Sequence, residues 1–124
     1  MDLIFDTHVL LWLVADYRKL SDKVRDRLAG PATRLFLSAI TAWEYADLHW
    51  RDRLPGSLGL PNVLQTTGVV LLNFPAALWR HAEIPPPYHR DPIDRMLIAH
   101  AIEADLTLVT ADATMRRYPV KTLW

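Results

Sequence analysis

The chain has 124 residues, 51% of them hydrophobic and 23% charged, and its 14 basic and 14 acidic side chains give a formal net charge of zero. That length suits one compact domain spanning 1–124 with a single core. The balance excludes a disordered chain, a membrane-spanning run of residues and a molecule drawn as a whole onto nucleic acid by a positive field.

With no cysteine, disulfides, thiolate metal sites and cysteine nucleophiles are excluded as well. Asp2 precedes the first apolar run where a secretory signal needs positive charge, so a cytoplasmic location without a membrane is expected.

Leu3-Ile4-Phe5 reads as a short buried strand ending at Asp6, and His8 to Ala15 as a deeply packed helix with Trp12 and Leu13 in the core. His8 is expected to pack inside. Ser21 to Leu28 is a second helix, capped by Ser21 and stopped by Gly30 and Pro31. Leu35-Phe36-Leu37 is a second strand. Ser38 to Arg53 is helical and carries Glu44 one to two turns in, beside Trp43, Tyr45 and Trp50, whose apolar surface is too broad for one packing face.

After a turn at Pro55, Gly56, Gly59 and Pro61 comes a short helix around Asn62 to Thr66, then the strand Val69-Val70-Leu71-Leu72. Ala76 to Glu83 is expected as another short helix, ended by Pro85-Pro86-Pro87. Asp91 before Pro92 predicts a capped helix start, with Asp94 in the first turn and Met96, Leu97 and Ala101 in the buried stripe. Leu106 to Thr110 is the last long strand, followed by Asp112, and Val120 to Leu123 is an edge strand. This alternation of strands and helices predicts an α/β fold with a parallel sheet.

Parallel α/β sheets collect ligands beyond the carboxyl ends of their strands. Asp6 and Asp112 follow strands, and Glu44 and Asp94 lie on helices that start at the same edge, so the four are expected to converge. Clustered carboxylates repel unless a cation compensates. Mg2+ or Mn2+ suits hard oxygen ligands and keeps water positions open for a phosphate. The expected chemistry is metal-assisted phosphodiester hydrolysis, with Asp6 and Asp94 as direct ligands and Glu44 and Asp112 acting through water or a second ion. Asp91 competes with Asp94 for the third position, but capping already accounts for it. Thr7, Ser38 and Thr110 can hold a carboxylate or phosphate, or cap helices. Arg90, Arg95 and Arg116, with Arg117, lie close in sequence to the later acids and can contact substrate phosphates. Arg95 can equally pair with Asp94. The tryptophans are read as core or interface, and none is assigned to base stacking.

The segments FDTHVLLW, SAITAWE, HRDPIDRMLIAHA and LVTAD, in this order across nearly the whole chain, resemble the PIN domain family and especially its VapC-type toxins. The resemblance implies a PIN-like three-layer α/β/α sandwich with a small, mostly parallel sheet. It also implies a Mg2+- or Mn2+-dependent ribonuclease, usually a homodimer, held in check by a VapB-like antitoxin. Asp6, Glu44, Asp94 and Asp112 match the family's four acidic positions. Many members end in Thr-x-Asn-x-x-Asp; here Thr110 is followed by Asp112, and Met115 occupies the later acidic position. An antitoxin helix is expected across Trp43, Tyr45 or Trp50, with an arginine inserted among the carboxylates. The alternative is a non-catalytic PIN-like module that binds protein or RNA. Phosphotransfer on Asp6 is disfavoured because Thr7-His8 follows in place of an Asp-x-Asp-x-Thr arrangement.

Overall fold

In the computed structural model, which describes residues 2–82 and 91–124, five strands form one all-parallel sheet flanked by helices. In chain order they are β1 (Asp2–Phe5), β2 (Arg34–Ser38), β3 (Val70–Leu72), β4 (Thr107–Val109) and β5 (Thr122–Leu123), arranged β3-β2-β1-β4-β5. The helices are α1 (Thr7–Ala15), α2 (Asp22–Leu28), α3 (Ala39–Trp50), α4 (Leu60–Thr67) and α5 (Pro92–Glu103).

β1 lies in the middle, and period-two alternation along it separates two cores. Leu3 and Phe5 join Val9, Leu10, Val24, Leu37 and Tyr45 on one face. Ile4 joins Leu97, Ile98, Ala101, Leu108 and Met115 on the other. Strands buried on both faces cannot alternate apolar with polar residues, which is why the short runs in the sequence are uniformly apolar.

Local sequence rules account for most element ends. Ser21 Oγ accepts from Val24 N at 3.2 Å and caps α2, Ser38 Oγ accepts from Ile40 N at 3.3 Å and caps α3, and Gly68 closes α4 in the left-handed region at φ 69°. Asp91 Oδ1 accepts from Ile93 N at 2.9 Å with Pro92 at the first helical position.

The segment expected as a helix over Ala76 to Glu83 is a 3-10 helix, Ala76–His81, and Glu83 lies outside the described residues. Two expectations about packing are corrected. Tyr45 is fully buried, its hydroxyl donating to the Leu58 carbonyl at 2.8 Å, so it is absent from the outer face of α3 that exposes Trp43 and Trp50. His8 is exposed. Among the described residues no helix is long and apolar enough to cross a membrane.

Candidate functional site

A cavity of about 560 Å³ opens where the sheet's carboxyl-terminal edge meets the starts of α1 and α5 and the middle of α3. Asp6, Glu44, Asp94 and Asp112 all line it, as does Thr7. The parallel register sets this up. Phe5 pairs with Val109, so the residues that follow them, Asp6 and Thr110, emerge side by side at one edge.

Asp6 is both cap and candidate ligand. Its backbone N–H donates to the Val109 carbonyl at 3.2 Å, which continues the sheet for one residue. Its Oδ1 accepts from Val9 N at 2.9 Å and caps α1, while the Thr110 hydroxyl donates to Oδ2. Only 7% of the residue is exposed. Burial raises the Asp6 carboxyl above the usual range; the Thr110 and Val9 hydrogen bonds and the nearby His8 oppose this, and the charge of Asp112 adds to it.

Thr110 also ties the fourth acid to the first: its Oγ1 accepts from Asp112 N at 3.1 Å. Asp112 in turn accepts from Thr114 N at 2.8 Å and Met115 N at 3.3 Å, which starts the 3-10 turn Met115–Arg117. Glu44 is half-buried and accepts a hydrogen bond from the Thr7 hydroxyl, so the residue after the first acid holds the second.

Two of the three arginines expected at the site lie away from the acidic cavity. Arg95, one residue after Asp94, lines a separate apolar cavity of about 340 Å³ with Phe74, Trp79, Met96 and Ala99. Its guanidinium donates to the Ala82 carbonyl, and its buried Nε has no hydrogen-bond partner among the described residues. Successive helical residues diverge by about 100°, which carries Arg95 away from Asp94's side. Arg116 is exposed and does not line the acidic cavity, and Arg90 lies outside the described residues.

Asp47, His8 and Trp12 also line the cavity, and none was assigned to it from sequence. Asp47 follows Glu44 by three residues and pairs with Arg51 at 3.1 Å; its helical spacing was the available signal. Asp91 reaches the cavity while capping α5. At Met115 an apolar thioether stands on the wall.

Among the described residues no three acidic or imidazole side chains form a ready-made metal cluster. The donor set still fits a hard divalent cation. It is all oxygen, it is open enough for the ion to keep several waters, and it contains a buried carboxylate, Asp6, whose charged form burial disfavours.

A Mycobacterium tuberculosis protein, Ribonuclease VapC22, is 29% identical over 122 residues, covering 93% of this chain and 90% of that relative. Among solved structures, VapBC2 from Rickettsia felis bound to a DNA fragment from their promoter superposes with a TM-score of 0.70 at 16% identity, over 99% of this chain and 98% of the other. VapBC-1 from nontypeable Haemophilus influenzae gives 0.68 at 16%, over 99% and 97%. PAE2754 from Pyrobaculum aerophilum gives 0.64 at 18%, over 98% and 87%. At such identities these structures speak to the fold, which they share with this all-parallel sandwich. The PIN domain family model matches residues 3–121, and the chain belongs to the PIN domain family.

Proposed function

We propose that this chain is a Mg2+- or Mn2+-dependent endoribonuclease acting as the toxin of a VapBC-type pair. The observation that carries the reading is that Asp6, Glu44, Asp94 and Asp112, from four separate parts of the chain, all line one cavity. The VapC22 relative and the VapBC neighbours support the ribonuclease and toxin roles.

Asp6 and Asp94 would hold the ion directly, and Glu44 and Asp112 would act through water or a second ion. A bound Mg2+ or Mn2+ supplies Lewis-acid polarisation of a phosphoryl oxygen and lowers the pKa of a coordinated water. The protein's part is positioning. Thr110 fixes Asp6 against Asp112, and Thr7 fixes the Glu44 carboxylate so that it can orient or deprotonate a water.

The test mixes purified protein with RNA and Mg2+ or Mn2+ beside an Asp6→Asn control. Cleavage by the wild type alone supports the assignment, and equal cleavage by both removes it.

The partner is a VapB-like antitoxin. Trp43 and Trp50, 64% and 81% exposed and two turns apart on α3, give an apolar helix a surface to cover next to the cavity that Glu44, Asp47 and Leu48 line. An antitoxin arginine reaching the carboxylates displaces the metal. If a co-purified partner leaves metal binding and cleavage unchanged, that mechanism is wrong. The toxin itself works as a homodimer, which light scattering on the purified chain checks.

A further inference from the structure

The acidic cavity has one aromatic wall. His8 and Trp12 stand one turn apart on α1, both line the cavity, and their ring centroids lie 6.3 Å apart at a tilt of 52°. His8 is exposed and Trp12 half-buried. Trp12 also meets Trp124, whose ring centroid is 5.6 Å away at a tilt of 51°, and the Lys19 ammonium lies over the indole, 6.0 Å from its centroid. The same helix begins at its cap Asp6, so the ring pair and the first carboxylate are parts of one rigid element.

The rest of the wall explains why rings are useful there. Asp6, Glu44, Asp47, Asp91, Asp94 and Asp112 make the cavity hostile to a polyanion except where a cation intervenes. A nucleobase next to the reacting phosphate is an uncharged flat plate. A carboxylate can meet only the amino or imino donors at its edge, whereas an aromatic ring can stack on its flat face whatever the base. Leu48 and Met115 are apolar but have no π face. Lys19 adds a positive charge beside the indole in a molecule whose net charge is zero.

We propose that Trp12 and His8 form a base subsite of this nuclease, in which an unpaired nucleobase flanking the scissile phosphate stacks on Trp12 and meets His8 at its edge. Lys19 faces a neighbouring phosphate. The subsite deepens the ribonuclease reading and rests on it. It also makes the enzyme selective for single-stranded or looped RNA, because a paired base cannot leave its stack to reach the ring without the cost of unpairing.

The experiment measures binding and cleavage separately on the full chain. Anisotropy of a fluorescein-labelled, unstructured RNA 12-mer of mixed sequence is followed in Mg2+ at low temperature, for wild type, Trp12→Phe, Trp12→Leu and His8→Ala. Thermal melts verify that each variant is folded, and Trp12→Phe guards against a packing defect because it keeps an aromatic face. The expected result is about a tenfold loss of affinity for Trp12→Leu, largely recovered in Trp12→Phe, with a rise in KM exceeding any fall in kcat. An oligomer series with one abasic nucleotide at successive positions should weaken wild-type binding at one position and leave Trp12→Leu indifferent. Equal affinity of wild type and a folded Trp12→Leu overturns the subsite, as does absence of RNA binding. Trp12-dependent binding without cleavage leaves the subsite standing and removes the nuclease reading.

Discussion

Helix α5 separates two cavities of opposite character. Asp91 and Asp94, one turn apart, face the acidic cavity, while Pro92, Arg95, Met96 and Ala99 line the apolar one. On the first side the α5 carboxylates share their cavity with Asp6, Glu44, Asp47 and Asp112, an acidic lining that suits a cation. On the second side the helix's only arginine donates to the Ala82 carbonyl and lines an apolar cavity together with Phe74 and Trp79. The helical period, and not adjacency in sequence, decides which charges can neutralise each other.

The strongest way to break this contrast is to remove charge from the acidic side. Asp6→Asn and Asp94→Asn are each expected to lower the initial rate of RNA cleavage by about a thousandfold, the scale set by losing several kcal/mol of metal-supplied transition-state stabilisation. Asp91→Asn sharpens the result, because asparagine caps a helix as well as aspartate does. It should change the rate by less than about threefold if Asp91 serves α5 alone, and a loss matching that of Asp94→Asn would make Asp91 the third ligand.

A smaller effect is expected from the hydroxyls that hold the acids. Thr7→Val leaves Glu44 in place without its donor and should lower cleavage about tenfold to a hundredfold, as outer-shell changes at metal sites do. Loss of metal affinity by calorimetry should accompany it. An unchanged rate would mean that Glu44 is oriented by something else.

On the apolar side, Arg95→Met should leave the cleavage rate within about twofold and alter unfolding free energy by no more than about 1 kcal/mol, since the flexible thioether fills the same space and Nε has no hydrogen bond to lose among the described residues. A large loss of cleavage would return Arg95 to the RNA-binding set.

What was legible in the sequence follows the range of each interaction. Asp6, Ser21, Ser38 and Asp91 act on residues two or three positions away, so cap chemistry written in a few letters placed them. The acidic quartet was legible because a parallel sheet has only one carboxyl edge, whatever the details of packing. Tyr45 was not, because α3 is apolar on two sides. Thr41, Ala42 and Tyr45 are its buried stripe and Trp43 and Trp50 its exposed one, and the choice depends on the distant Leu58 carbonyl. Trp12 looked like core because α1 is apolar nearly all round; its role on the cavity wall depends on what the other strands bring to that edge.

A link wholly hidden from local sequence joins the helices that carry Glu44 and Asp94. His100 Nδ1 lies 2.8 Å from Ser38 Oγ across 62 positions, with only 2% of the imidazole residue exposed and the Phe74 ring edge-on at 5.6 Å. Burial holds the His100 imidazole below its ordinary value of 6.5, so the folded protein keeps it neutral. The unfolded chain binds the proton first as the pH falls. Stability from this residue is therefore full above the ordinary imidazole value and is lost as the pH drops from there toward the lowered one, by at most about 1.4 kcal/mol per pH unit. Asp6 has the opposite sign. Its raised carboxyl is a cost at neutral pH that is relieved as the pH falls through the raised value, so it opposes the loss at His100. In metal-free protein, the melting temperature should fall on going from about pH 7 to about pH 5.5, and His100→Gln should flatten that decline while starting from a lower value. The same decline in His100→Gln as in the wild type would place its origin in another group.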